Sequence, residues 1–79
     1  MGDAMEVDAR GQKCPWPALR LARTIRQNGD VRRFTLLADD PAAERDIPQL
    51  AAENGWRLKE LPRQGAAFHW LIEVARQDR

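Results

Sequence analysis

Phe34-Thr35-Leu36-Leu37-Ala38, followed by Asp39-Asp40-Pro41, is the stretch that decides the fold of this 79-residue chain. The first five residues are almost continuously apolar, which is typical of a strand in the centre of a sheet. The three residues after them end the strand. Asp40 caps the turn that follows, and Pro41 takes the first helical position, where no amide donor is needed. The stretch therefore predicts a buried central strand that leads directly into a helix.

The residues before this strand predict one helix and one further strand. An amphipathic helix is expected over residues 15–27. Its buried face has residues at the i, i+3, i+4 and i+7 positions, namely Ala18, Leu21, Ala22 and Ile25. The helix ends at Gly29, which takes the left-handed conformation that closes a helix end. Residues 5–8 alternate apolar and polar side chains, which indicates a short strand, and residues 9–13 form a loop.

The residues after the central strand predict a second helix and a hairpin. One face of this helix has Ala43, Ile47, Leu50, Ala51 and Asn54. Pro48 interrupts the pattern, so either the helix kinks there or a first turn ends and Asp46 caps a restart. Residues 56–61 alternate as a strand, and residues 62–65 form a turn. Residues 68–74 alternate most clearly of all and form the last strand.

The predicted order of elements is βαβαββ. Strand–helix–strand units cross over right-handed and place their two strands parallel in one sheet. The final hairpin adds an antiparallel pair, so the four-stranded sheet is mixed. Two helices are too few to cover both faces of a sheet, so we expect both on one face in a two-layer α/β sandwich. We expect one domain over residues 1–79, with an ordered core of about residues 5–75.

Composition argues against several classes of function. The net charge of +1 gives no field that would recruit nucleic acid, so we expect no stable nucleic acid binding. No stretch approaches the roughly 18 apolar residues of a membrane span, so we expect no membrane insertion. The acidic start, residues 1–6, does not resemble a signal peptide, and a single cysteine fits the reducing cytoplasm. We find no metal-ligand spacing and no glycine-rich phosphate loop, so we expect no metal and no cofactor.

Cys14 is the only cysteine, and it lies in the run Gly11-Gln12-Lys13-Cys14-Pro15-Trp16-Pro17. A single cysteine makes no intramolecular disulfide and cannot supply the thiolates of a structural zinc site. It is therefore either a small buried hydrophobe or a reactive thiol. The first helix begins at this run, where the amides of Trp16 and Ala18 and the helix dipole favour an anion. We therefore expect the pKa of Cys14 to be lowered.

The neighbours of this thiol favour a role in group transfer. Lys13 and Arg10 add positive potential beside it. Pro15 and Pro17 have a fixed φ, so they stiffen the loop and present the sulfur outward in a nearly constant position. His69 lies in the last predicted strand, and we expect it to face solvent or pack there rather than pair with the thiol. An activated nucleophile without acid–base machinery describes a carrier better than a hydrolase.

Two motifs resemble those of the TusA-like (SirA-like) sulfur-carrier family. Val7-Asp8-Ala9-Arg10-Gly11-Gln12-Lys13-Cys14-Pro15-Trp16-Pro17 is similar to the family's N-terminal signature, which is C-P-x-P with an upstream D-x-x-G. Asp39-Asp40-Pro41-Ala42 followed by Arg45-Asp46-Ile47-Pro48 is similar to its second motif, D-P-x-x-x-x-D-I-P. The similarity extends from about Met5 to Val74. It implies a two-layer βαβαββ fold with a mixed four-stranded sheet.

The resemblance implies that Cys14 carries a persulfide, with a cysteine desulfurase or a rhodanese-type protein as sulfur donor. A downstream acceptor protein would belong to tRNA thiolation, molybdenum-cofactor synthesis or sulfur oxidation. The residues that would shape the site are Gly11, Lys13, Pro15, Trp16 and Pro17. The supporting residues would be Arg10, Arg45 and Asp46, although Asp46 is equally suited to cap a helix. Many members have a second cysteine where this chain has Ala51, so an internal relay is excluded.

Several alternatives stay open. Trp16 either packs locally or lies exposed beside the sulfur, where it contributes to partner docking. Arg20, Arg23 and Arg26 recur at helical spacing, as either a solvated face or a docking surface for an acidic partner. The same fold could also serve as a non-catalytic regulatory or protein-binding module that uses the uncovered sheet face. Small α/β sandwiches in translation proteins suggest an RNA-binding platform, which the near-zero net charge argues against.

Overall fold

Two helices and four strands alternate along residues 4–75, which are the residues that the computed structural model describes. The elements are β1 (Met5–Asp8), α1 (Trp16–Gln27), β2 (Arg33–Ala38), α2 (Ala43–Asn54), β3 (Arg57–Gln64) and β4 (Ala67–Glu73). This order confirms the predicted βαβαββ arrangement. The limits of the predicted domain, at residues 1 and 79, lie outside the described residues.

The four strands form one mixed sheet in the order β1-β2-β4-β3. β1 runs parallel to β2, with Val7 opposite Leu36, whereas β4 runs antiparallel to both β2 and β3. β2 and β4 are therefore the central strands, and β1 and β3 are the edges. Four of the six residues of β2 are buried, which confirms that residues 34–38 form a central strand.

Both helices pack on the same face of this sheet. One buried cluster joins residues of α1, α2 and three strands: Leu21, Ile25, Ala43, Ile47, Phe34, Leu36, Trp70, Ile72 and Val7. The two-layer sandwich predicted from the sequence is therefore confirmed. On the uncovered side of the sheet, His69 is half-buried in β4 between Leu37 of β2 and Leu61 of β3, as expected for a packed histidine. No helix within residues 4–75 is long and apolar enough to cross a membrane.

The end of α1 differs from the expectation for Gly29. The helix is closed by Asn28, whose backbone N–H donates to the Ile25 carbonyl at 3.3 Å. The side-chain Nδ2 of Asn28 also donates to the Thr24 carbonyl at 2.8 Å. These two bonds satisfy carbonyls of the last turn without a left-handed residue, so Gly29 does not adopt a positive φ and that prediction was wrong.

The start and interior of α2 also differ from the prediction. The helix begins at Ala43, two residues after the predicted start at Pro41. It then runs continuously across Pro48, so of the two alternatives the restart capped by Asp46 is wrong. Proline has no N–H, so this position loses only its own helical bond to the carbonyl four residues earlier, which belongs to Glu44. The exposed position of Pro48 lets water serve that carbonyl.

The turn predicted at residues 62–65 is displaced toward the C-terminus. Residues 62–64 belong to β3, and the turn lies at Gly65 and Ala66. Proline is tolerated in an edge strand because its missing N–H need not join a ladder, and β3 is an edge. A register shift between Leu61 and Gln64 accompanies the proline. The local turn signal was therefore overridden by the place of this segment in the sheet.

Candidate functional site

The site lies at one edge of the sheet, where the two parallel strands end. β1 and β2 are neighbours, so the loops that follow them, residues 9–15 and 39–42, leave the sheet side by side. Ligand sites of α/β sheets commonly lie at the carboxyl ends of parallel strands. Cys14 belongs to the first loop, and its side chain is exposed.

Two consecutive aspartates of the second loop fasten the first. The backbone N–H of Gly11 donates to Oδ1 of Asp39 at 2.9 Å. The backbone N–H of Cys14 donates to Oδ2 of Asp40. These bonds join residues that are 28 and 26 positions apart in the chain, so they fix the cysteine loop against the rest of the fold. The sequence analysis placed both aspartates in the second motif and gave Asp40 a role as a cap, but it predicted no contact of either with the cysteine loop.

Asp40 also caps the turn before α2, as predicted. Its Oδ1 accepts a hydrogen bond from the backbone N–H of Ala42 at 3.2 Å. The backbone hydrogen bonds from Cys14 and Ala42 lower the pKa of Asp40, and the charge of Lys13 adds to this effect. Asp40 is therefore held as a carboxylate beside the cysteine loop.

Gly11 has a backbone conformation that other residues adopt at a cost. Its φ is 83°, and a Cβ added there would meet no atom within 4 Å. The conformation alone therefore explains the glycine. The predicted role of Gly11 in shaping the loop stays a prediction that substitution can test.

We expect Gly11→Ala to lower the free energy of unfolding by about 1–2 kcal/mol, because alanine resists a left-handed conformation. Urea denaturation followed by circular dichroism measures the change. Gly29→Ala is the matched control, since Gly29 has no positive φ and equal space around it. That control should be neutral or stabilising by about 0.4–1 kcal/mol. Equal destabilisation of both variants would contradict this account of Gly11.

The thiol of Cys14 faces a carboxylate. Its Sγ donates a hydrogen bond to Oδ2 of Asp46, which lies 32 residues further along the chain. Asp46 belongs to the first turn of α2, and its backbone N–H donates to the Ala42 carbonyl at 2.9 Å. The structure thus brings Asp46 to the sulfur instead of to a helix cap.

The pKa of the Cys14 thiol is raised, which contradicts the lowered value expected from the sequence. The hydrogen bond to Asp46 is the largest cause, and loss of water around the sulfur follows. The negative charges of Asp46 and Asp40 raise the pKa further, and only the charge of Arg45 opposes them. A thiolate at this position would lie beside carboxylates, so the protonated thiol is favoured.

The amide of Trp16 does not contribute to the anion site that the sequence predicted at the start of α1. α1 begins at Trp16 after an N-cap at Pro15, so Cys14 lies outside the helix. The backbone N–H of Trp16 donates to the Lys13 carbonyl at 2.8 Å and is not available to the sulfur. The next helical residue, Pro17, has no N–H.

Two of the cations predicted to act near the thiol, Arg10 and Arg45, are paired with carboxylates. Nε and Nη2 of Arg10 donate to the two oxygens of Asp8 at 2.9 and 2.7 Å, and this pair lowers the pKa of Asp8 to about 2. Arg10 therefore serves Asp8 and does not add the positive potential predicted at the thiol. Nε of Arg45 lies 3.7 Å from Oδ1 of Asp46, and the Arg45 side chain is 80% exposed.

Trp16 and Pro17 point in different directions. Pro17 is buried, whereas Trp16 is 60% exposed, so the alternative in which Trp16 packs down locally is wrong. Leu19 is also exposed, and both residues line a groove of about 590 Å³ on the outer side of α1. The remaining lining residues are Gln12, Arg20, Arg23, Thr24, Arg26 and Gln27. The arginine-rich face therefore adjoins the exposed tryptophan.

The arrangement offers a solvent-reachable thiol with a carboxylate in place to hold its proton. The Cys14–Pro15 peptide bond is cis and lies between the sulfur and the start of α1. Within residues 4–75, no group of three or more histidine, cysteine, aspartate or glutamate side chains is placed to hold a metal ion. The chemistry available here is that of one sulfur nucleophile.

Comparisons with known proteins agree on one family. The family model described as Sulfurtransferase TusA matches residues 5–74. The Sulfur carrier protein TusA of Allochromatium vinosum is 34% identical over 68 residues, which cover 86% of this chain and 90% of that protein. A Putative sulfur carrier protein of Archaeoglobus fulgidus is 31% identical over 75 residues, which cover 94% of this chain and 97% of that protein.

A solved structure shows the same fold. The crystal structure of a SirA-like protein from Desulfitobacterium hafniense matches with a TM-score of 0.77 at 24% identity. The match covers 92% of this chain and 99% of that chain.

Proposed function

The chain belongs to the TusA family of sulfur carriers, and on this premise we propose that Cys14 accepts sulfane sulfur as a persulfide and relays it to an acceptor protein. The observation that carries the proposal is the placement of the only cysteine as an exposed thiol on a loop fastened by Asp39 and Asp40. Such a thiol is reachable by two different partners in turn. The protein is a sulfurtransferase that depends on its partners and not a self-sufficient enzyme.

The loading step balances without an oxidant or a reductant. Sγ of Cys14 attacks the outer sulfur of a donor persulfide, and the S–S bond of the donor breaks as a new S–S bond forms on Cys14. The donor leaves as a thiolate and takes up the proton that Cys14 loses. Unloading repeats the exchange, with a thiolate of the acceptor attacking the outer sulfur on Cys14.

A sulfur carrier works between a donor and an acceptor. We infer that the donor is a cysteine desulfurase or a rhodanese-type protein. The acceptor would belong to tRNA thiolation, molybdenum-cofactor synthesis or sulfur oxidation. A free, exposed thiol stays available only where thiols are kept reduced, which favours the cytoplasm as the place of the relay.

The non-catalytic alternative is less well supported. A binding module of the same fold would have no need of an accessible thiol, and a buried Cys14 would have favoured it. The side chain is exposed, and neighbouring residues hold both its backbone N–H and its Sγ. Two polar contacts to the same cysteine favour a role for its sulfur atom.

Incubation with a cysteine desulfurase and cysteine tests the proposal. We expect the intact mass of the protein to rise by one sulfur atom, and a thiol reductant to reverse the gain. Peptide mapping should place the added sulfur on Cys14. Absence of any gain with both a desulfurase and a rhodanese-type donor would contradict the relay.

A further inference from the structure

We propose that Asp46 makes Cys14 selective for sulfur donors and acceptors that carry a positive charge beside their reacting sulfur. This selectivity deepens the proposed function and rests on it, because it specifies the chemistry of the partners in the relay. The charged partner group would be a lysine, arginine or protonated histidine that pairs with the Asp46 carboxylate while the two sulfur atoms meet.

Two carboxylates accept hydrogen bonds from Cys14. Oδ2 of Asp46 accepts the hydrogen bond from Sγ of Cys14, and Oδ2 of Asp40 accepts the one from its backbone N–H. The Asp46 side chain remains 24% exposed. A partner that reaches the exposed sulfur therefore also reaches the carboxylate that holds its proton.

The cations near Cys14 in the described part of the chain, residues 4–75, do not cancel that negative charge. Arg45 contacts only the other oxygen of Asp46, at 3.7 Å, and exposed ion pairs of this kind contribute little. Arg10 is bound to Asp8, and Lys13 acts on Asp40. The direction of the Cys14 pKa, which is raised, agrees with a net negative environment at the sulfur.

The carboxylate affects the transfer step through the proton. Cys14 must lose its proton to attack, and the resulting thiolate would repel the Asp46 carboxylate across the broken hydrogen bond. A partner cation that pairs with Asp46 removes this repulsion, and the proton leaves on the thiolate that the donor releases. The cation is not consumed. A partner with a negative charge at the same place would add to the repulsion and be rejected.

Small thiol reagents of different charge test this selectivity directly. We would use methanethiosulfonates that carry a trimethylammonium, a neutral or a sulfonate group, each of which forms a mixed disulfide with Cys14 and releases a sulfinate. Second-order rates would be measured by intact mass at low salt and across pH. The ratio of cationic to anionic rates is expected to be about tenfold higher for the protein than for free cysteine, because the carboxylate attracts one reagent and repels the other.

Variants at two positions in the first turn of α2 separate the local effect from net charge. We expect Asp46→Asn to lower the ratio toward that of free cysteine and to raise the rate of the neutral reagent at neutral pH, because the thiol loses the largest cause of its raised pKa. Asp46→Glu should retain the preference. Glu44→Gln is the matched control, because Glu44 is an exposed carboxylate in the same turn, and its ratio should stay that of the wild type.

A wild-type ratio no larger than that of free cysteine, or an unchanged ratio in Asp46→Asn, would overturn the selectivity. If Asp46→Asn fails to fold, the salt dependence of the wild-type ratio decides instead. A local carboxylate predicts that the ratio falls as salt screens the charge, and a flat response would overturn the proposal. These reagents donate no sulfane sulfur, so the outcome is independent of whether Cys14 accepts a persulfide.

Discussion

Cys14→Ser is expected to abolish sulfur loading and to leave the fold intact. A hydroxyl oxygen does not form the S–S bond that holds the cargo, and this chain has no second cysteine to replace it. The serine O–H can still donate to Asp46, and the side chain is exposed, so the free energy of unfolding should change by no more than about 0.5 kcal/mol.

The measurement is the intact mass after incubation with donor and cysteine, with urea denaturation as the test of folding. Wild-type protein whose thiol has been alkylated beforehand is the control for sulfur held without a covalent bond. We expect the serine variant and the alkylated protein to fall to background together. Sulfur that stays bound to a folded serine variant would contradict the role of Cys14 as the residue that carries the sulfur.

Trp70→Ala is expected to cost about 3–5 kcal/mol of the free energy of unfolding. Trp70 is 1% exposed, lies in the central strand β4 and belongs to the cluster that joins both helices to the sheet. It also stacks on Phe68, with ring centroids 5.4 Å apart. A chain of 79 residues has a total stability of about 4–12 kcal/mol, so this loss removes between about a quarter and all of it.

Urea denaturation followed by far-ultraviolet circular dichroism measures this loss. Trp16→Ala is the matched control, because it makes the same chemical change at a side chain that is 60% exposed. We expect that variant to stay within about 0.5 kcal/mol of the wild type. Similar losses in the two variants would show that the buried cluster does not have the role assigned to it.

The mixed sheet and the order of its elements along the chain could be predicted because their signals are local and repeated. Residues 34–38 are apolar on both sides of the pleat, which only a central strand accommodates. Residues 68–74 alternate, and the helical face of α1 recurs with helical spacing. Each pattern contains several residues that agree, so no single side chain decides the outcome.

Two local signals failed because tertiary position outweighed them. Pro62 begins a turn in most sequence contexts, but an edge strand leaves its missing N–H without consequence. Gly29 is suited to a left-handed cap, but the side chain of Asn28 already donates a hydrogen bond to a carbonyl of the last turn. Neither the edge position of the strand that contains Pro62 nor the side-chain rotamer of Asn28 can be predicted from the neighbouring residues in the sequence.

The electrostatics of the site could not be predicted for a related reason. A helix N-terminus carries about half an elementary charge, whereas a carboxylate in direct hydrogen-bonding contact carries a full one. The sequence places Cys14 before a helix, which suggests the first effect. It does not show that Asp46, 32 residues away, points at the sulfur. The larger and closer charge decides the direction of the pKa.

The contacts that hold the sulfur exist only when two distant parts of the chain are together. When the loops separate, Cys14 becomes an ordinary cysteine whose pKa is no longer raised, so it reacts faster with an alkylating reagent at neutral pH. Because each molecule has one thiol, the labelling rate reports how far the loops that hold Cys14 have separated. The cargo-bearing residue therefore doubles as an internal probe of local unfolding, without any engineered tag.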